Sequence, residues 1–302
     1  MTTTTFNPVT QAQYTKGVIL VLIAGCFWSI AGLVIRLMED ANEWQILFYR
    51  SAALIFTLFF YIGIITPGPL IAAYKRAGLN SVIGGACLGV AYASWIFAMT
   101  HTTIANALFI LAAAPFITAA IARVVLKERV NRITMICMLI AMIGIGIMVI
   151  EGALGGTLLG NIFALCAATG FSVFTVILRK SRQVDMTPAV FWSGVWGAMV
   201  GLIMIVVTGD TLIISRHDFE LCVLIGFVQV GLGLIIFTRG SRYVPSAELA
   251  LLSMTEVILG PIWVWLGVGE IPSLFTLIGG SIVLTAIVLQ AYTGIRIQKS
   301  YR

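Results

Sequence analysis

Charged residues make up only 10% of these 302 residues, and those set inside apolar runs are the ones with chemistry to offer. Glu256 lies about ten residues into the apolar stretch 246–268, roughly 15 Å deep at 1.5 Å per helical residue. A charge at a bilayer centre costs from about 2.5 kcal/mol upward. A carboxylate there therefore faces a wet cavity or takes up a proton, and either state suits ion coupling or recognition of an amine. The plainer reading is a carboxyl hydrogen-bonded to neighbouring helices. Glu248 sits eight residues earlier, about 12 Å nearer one end of the run and about 80° around the helix. It reads as a gate residue or second proton site, or as a side chain touching interfacial water. Arg50, about 9 Å below the opposite edge of its run, can grip a substrate carboxylate through two parallel hydrogen bonds. It can equally snorkel outward or pair with Glu39, Asp40 or Glu43 as an external gate.

Uncharged polar residues also fall within the runs: Ser29, Asn106, Ser172, Gln229 and Ser253. Such residues more often join helices than touch a ligand. Pro115 and Pro261 can break their helices and expose carbonyls at depth, or kink them without consequence. The five cysteines form no CxxC pair, and His101 and His217 lie in short polar connections. Neither metal chemistry nor a disulfide framework is expected. There is no phosphate-cradling glycine loop, so ATP drive from this chain is not expected, and no cofactor is implied.

The elements that position these residues are long helices. The chain is 60% hydrophobic with a mean hydropathy of +1.06, whereas soluble domains carry about 25% charged residues. Apolar runs of about 20 residues match a hydrocarbon core of about 30 Å crossed as helix. A β-barrel would show short alternating strands, and none is found. The expected spans are 17–37, 44–65, 81–99, 104–126, 133–150, 158–178, 188–207, 219–237, 246–268 and 273–292. A polar tail, 1–16, precedes them and a basic tail, 293–302, follows; no cleavable signal is evident. With the N-terminus cytoplasmic, 15 of the 18 basic residues fall inside and only Arg36, Arg50 and Arg216 outside. That bias supports an even number of spans with both termini cytoplasmic. The same scatter explains the net charge of +6 better than nucleic acid does.

The chain also repeats itself. Residues 17–36 lie over 160–179 and residues 105–128 over 247–270, at offsets of 143 and 142. Trp28 meets Phe171 in the first overlay. In the second, both stretches open on small residues and close on an acidic one, Glu128 and Glu270. Each copy holds five helices, so the second must enter the membrane inverted. The fold class expected is all-α integral membrane: ten transmembrane helices as two five-helix inverted-topology repeats, 17–150 and 158–292. Inverted repeats give secondary transporters a route to alternating access.

At these residues the chain resembles the drug/metabolite transporter superfamily, in its EamA-like branch. The likeness rests on Ala105-Asn106-Ala107 leading to Pro115, the exit Leu126-Lys127-Glu128-Arg129, and Gly144-Ile145-Gly146. In the second copy it rests on Pro245-Ser246-Ala247-Glu248, Glu256-Val257 leading to Pro261, and Gly269-Glu270. The Glu-Pro step common in the family is split here, Pro115 following Ala114 and Glu256 preceding Val257. The resemblance implies a multi-pass bacterial inner-membrane protein. It also implies a central cavity walled by Trp28, Tyr92, Trp95, Phe109 and Phe171.

The function expected is a secondary transporter, more an exporter than an importer, of a small organic metabolite such as an amino acid or related zwitterion. Substrate or coupling contacts would come from Glu256, Glu248, Arg50, Asn106, Ser253 and the five aromatic residues. Protons are a further possible partner, and a homodimer is open. An uptake carrier of the same fold, a channel and a non-catalytic subunit are the alternatives. A membrane enzyme would need a reactive cluster that two loop histidines cannot supply.

Overall fold

Polar caps and turn residues set where each helix begins and ends. Thr10 and Gln13 form a reciprocal capping box, the Thr10 hydroxyl accepting from the Gln13 amide while the Gln13 side chain accepts from the Thr10 amide. Asn131, Thr157 and Ser215 each accept a backbone N–H of the helix they precede. These caps satisfy donors that lipid cannot. Gly209 and Gly269 end their helices in the left-handed region at φ 76°, the conformation a glycine cap adopts without strain.

The computed structural model describes residues 10–65, 70–102, 104–150, 157–269 and 271–300. Its helices in order are α1 (Gln11–Trp28), α2 (Ala31–Arg36), α3 (Glu43–Ile65), α4 (Leu70–His101), α5 (Ile104–Leu111), α6 (Ala114–Val125) and α7 (Arg132–Met148). Then follow α8 (Leu158–Lys180), α9 (Thr187–Thr208), α10 (Arg216–Leu224), a π-helical stretch Ile225–Leu232, α11 (Gly233–Gly240), α12 (Ser246–Ser253), α13 (Thr255–Val268) and α14 (Leu274–Ser300). Among the described residues there is no strand. Among the described residues nine spans are long and apolar enough to cross a bilayer, and Arg132–Met148 is a shorter apolar helix of 17 residues. The turns 67–69 and 155–156 and the repeat's endpoint Glu270 lie outside the described residues.

Three spans differ from the continuous helices expected. Residues 104–126 divide into α5 and α6, residues 246–268 into α12 and α13, and the first span into α1 and α2. The third begins earlier, because α4 includes a turn before Gly78, whose φ of 60° and ψ of −163° interrupt the helix.

The repeat offset reappears in the helix bounds. α5 and α12 are both eight residues long, starting at 104 and 246 and ending at 111 and 253, an offset of 142. α7 and α14 start at 132 and 274, the same offset. Packing follows the same exchange: α3 lies on α9, α7 on α14 and α6 on α12, while α4 on α8 has its counterpart in α11 on α1.

The interior is filled by α1, α4, α8, α9, α11 and α12, with Val21, Leu88, Phe174, Phe237 and Leu251 nearly inaccessible. Outward lie Phe56, Ile64, Val124 and Val206, each at least two-thirds exposed. An apolar surface of that kind belongs against lipid. α7 meets α14 backbone to backbone. A Cβ on Gly279 would stand 2.3 Å from the Gly144 carbonyl oxygen, and one on Gly144 2.8 Å from that of Gly279. Small residues permit such approach, on which helix association in lipid depends. Gly279→Ala is therefore expected to destabilise the fold by about 2 kcal/mol, the scale of an overpacked core. A thermal melt of the purified variant unchanged from the parent would refute that close approach.

Candidate functional site

Helix breaks recur at mid-span. Between α1 and α2, Ser29 and Ile30 stay right-handed (ψ −19° at each) but tighten the turn. The Ser29 hydroxyl donates to the Cys26 carbonyl at 2.7 Å and accepts from the Trp263 indole at 2.8 Å. Between α12 and α13, Met254 has ψ −2°, and the amides of Met254 and Val257 reach back only three residues, to Leu251 and Met254. Between α5 and α6 the break precedes Pro115, which has no N–H to give Leu111. Tightening leaves backbone carbonyls short of partners.

The π-helical stretch adds a fourth irregularity and carries Gln229. Its amide donates to the Trp28 carbonyl at 3.4 Å, and its Oε1 is buried with no protein partner among the described residues. Trp28 thus ends α1 with its carbonyl turned to Gln229 and its ring among aromatic neighbours. Ring centroids lie 5.1 Å from Phe237 and 6.0 Å, edge-on, from Phe171.

Arg50 and Glu256 lie on two other helices, α3 and α13. The Arg50 guanidinium lies 4.8 Å over the Tyr92 ring, a cation–π geometry. Tyr92 hydrogen-bonds with Ser193 on α9 and is within electrostatic reach of both Arg50 and Glu256. Glu256 stands in the first turn of α13, and the neighbouring Thr255 packs against Gly25 of α1. Neither charge has an ion-pair partner among the described residues. Arg50 does not take the external pairing with Glu39, Asp40 or Glu43; the amides of Glu39, Asp40 and Ala41 instead donate to Asp218.

The other candidates are distributed differently. Trp28 packs with Phe171, and Tyr92 has Arg50 and Glu256 within electrostatic reach. Trp95 packs in a separate cluster with Ala98, Ala107 and Ala164. Phe109 is 44% exposed and lies against Gly146. Ser253 turns its hydroxyl back to the Ala250 carbonyl. Glu248 accepts from the Tyr14 hydroxyl at the end where α1 begins. Asn106 lies on α5, and its side chain is outside the described ones. Trp263 and Ser193 carried no signal in the sequence, since an indole or a small hydroxyl in an apolar run reads as packing.

Both ends of the bundle are tied shut. At the end rich in basic residues, Glu128 bridges Arg179 at 2.9 Å and accepts the Ser246 amide, while Arg179 donates to the Arg242 carbonyl. Arg242 in turn reaches Asp185 at 3.4 Å. At the opposite end Asp218 holds the loop 39–41, and Gln45 donates to the Thr211 carbonyl. The polar group around Arg50, Tyr92 and Glu256 lies between two closed ends, an arrangement suited to isolating a small solute from both.

Comparison with known proteins agrees with this architecture. Residues 15–150 and 158–292 each match the model of the EamA-like transporter family. The chain is 22% identical over 283 residues to the pseudopaline exporter CntI of Pseudomonas aeruginosa, covering 92% of this chain and 96% of that one. It is 26% identical over 210 residues to an uncharacterized transporter of Clostridium kluyveri, covering 64% of this chain and 66% of the relative. A solved crystal structure superposes with a TM-score of 0.75 at 16% identity, covering 93% of this chain and 98% of that one.

Proposed function

The chain belongs to the EamA-like transporter family, and from that premise we propose that it is a secondary exporter of a small zwitterionic metabolite, working by alternating access. The observation that carries this reading is the Arg50–Tyr92–Glu256 group. It offers one cation and one carboxylate, each without an ion-pair partner among the described residues, beside an aromatic wall. Arg50 would take the substrate carboxylate bidentately, Glu256 the ammonium, and Trp28 and Phe171 the apolar remainder. In the absence of substrate Glu256 would carry a proton, so that solute and proton exchange at one site.

Ten spans in two inverted halves are part of the proposal. It is supported by the common offset of the helix bounds, the self-mapping packing and the odd number of helices per copy. The 17-residue helix α7 supplies the tenth crossing; at about 25 Å it needs only slight local thinning of the bilayer. Breaks in the two copies at matching positions, α5/α6 and α12/α13, provide the hinges about which the halves rock. The name of the Pseudomonas relative supports export. Both termini cytoplasmic is the orientation that the distribution of basic residues supports.

Reconstitution tests the activity. Liposomes holding the purified chain should show saturable flux of amino acids or related zwitterions, accelerated by an opposing pH gradient; linear, non-saturating flux would favour a channel. Orientation has its own test. A cysteine replacing Glu39 should react with an impermeant thiol reagent on intact cells, and one replacing Lys127 only after permeabilisation. The reverse pattern would overturn the proposed topology.

A further inference from the structure

A second polar site lies apart from Arg50 and Glu256. At the basic end a cavity of about 60 Å³ sits between the start of α1, α7, α12 and α14. Six of the residues lining it carry side-chain oxygens: Tyr14, Asn131, Thr134, Glu248, Gln290 and Thr293. The Glu248 carboxylate accepts from the Tyr14 hydroxyl and the Gln290 amide. Those bonds use two of its roughly four acceptor positions. Gln290 is only 1% exposed, and its Oε1 is buried with no protein partner among the described residues. Thr293 gives its proton to the Leu289 carbonyl at 2.7 Å, which leaves its oxygen free to accept.

The charges facing Glu248 are Arg179 and Glu128, and these two pair with each other. Their opposite signs leave the carboxylate form of Glu248 with a charge that a bound cation would balance. One carboxylate among neutral oxygens is the donor set of a hard monovalent cation. A divalent ion would want more anionic ligands, and no cluster of three His, Cys, Asp or Glu occurs among the described residues. The cavity exceeds the roughly 15 Å³ needed for one water and falls well below the roughly 300 Å³ of an organic-ligand pocket.

We propose that this cavity binds a sodium-sized monovalent cation between Glu248 and Gln290, holding α1 against α12 and α14. Its helices come from both copies of the repeat, so the bound ion fastens one half to the other at the basic end. Tyr14 completes the contact by resting in the notch at Gly294, where any Cβ would collide with its hydroxyl. Ion release frees the start of α1.

Binding can be read without any transport substrate, so its failure is distinguishable from failure of the carrier reading. The purified full chain is melted in sodium chloride and in choline chloride at equal ionic strength. Sodium at ten times its half-saturating concentration is expected to raise Tm by about 3 °C. Glu248→Gln and Gln290→Leu are each expected to abolish that shift while still melting cooperatively. Should Glu248→Gln fail to fold, Gln290→Leu, which leaves the carboxylate in place, decides. Equal melting of the parent in sodium and choline overturns the proposal. So does a sodium shift retained in Gln290→Leu, or a shift that follows pH and not sodium.

Discussion

Glu256→Gln is expected to abolish pH-dependent transport while leaving folded protein in the membrane. Glutamine keeps the shape and one acceptor of the carboxyl but carries no charge at any pH, so it can neither exchange a proton nor balance an ammonium. Hydrogen bonds to charged groups contribute about 1.5–3 kcal/mol, and each 1.4 kcal/mol is about tenfold in affinity. A loss of roughly 100-fold in substrate affinity therefore accompanies the loss of pH response. The site tolerates the change sterically, because Glu256 lies in the first turn of α13 and pairs with no cation among the described residues. A neutral side chain there is cheaper to hold in lipid than a charge. Flux against pH in proteoliposomes, with a melt of the same preparation, is the measurement. Unchanged flux with an unchanged pH profile would remove Glu256 from the mechanism.

Glu128→Ala is expected to be the most damaging substitution for stability. The Glu128–Arg179 pair lies at the basic end with side-chain exposures of 25% and 10%. Removing the carboxylate strands a nearly buried guanidinium and also orphans the Ser246 amide that starts α12. Breaking a buried pair from one side costs about 3–5 kcal/mol, far more than the pair itself contributes. The lower figure, about 3 kcal/mol, suits a site that retains some solvent. The distinguishing control is the double variant Glu128→Ala with Arg179→Met, in which no charge is stranded and part of the loss should return. A single variant that melts like the parent would mean that the network at this end is solvated and mechanically idle.

The helices and their order were legible from residue types alone. Hydropathy is a sum over near neighbours, and a run such as Leu158–Lys180 needs no partner to prefer lipid. Caps are equally local: Thr157 and Ser215 each accept the amide three residues on, and Gly209 turns left-handed by its own lack of a Cβ. Even the repeat survived as spacing, because the starts of α5 and α12 and those of α7 and α14 obey one offset.

Glu256 and Arg50 stood out in the sequence for one reason, that lipid rejects charge. Their shared neighbour Tyr92 did not stand out, since it lies on α4 while Arg50 and Glu256 lie on α3 and α13. The two serines at the repeat-related positions 29 and 172 make the same point. Ser172 donates to the carbonyls of Ala168 and Ala114 and its helix continues unbroken, whereas Ser29 bonds three residues back, accepts Trp263 and ends its helix.

The sequence by itself determined that the chain is built of long apolar membrane helices and which charges lie among them, because those preferences are set by each residue and its immediate neighbours. Only the tertiary structure decided which helices break, that Gln229 lies in a π-helical stretch beside Trp28, and that Glu248 closes on Tyr14 and Gln290 instead of joining Glu256. In lipid a polar group must find its partner inside the protein, and the partner it finds is whichever helix packing brings near.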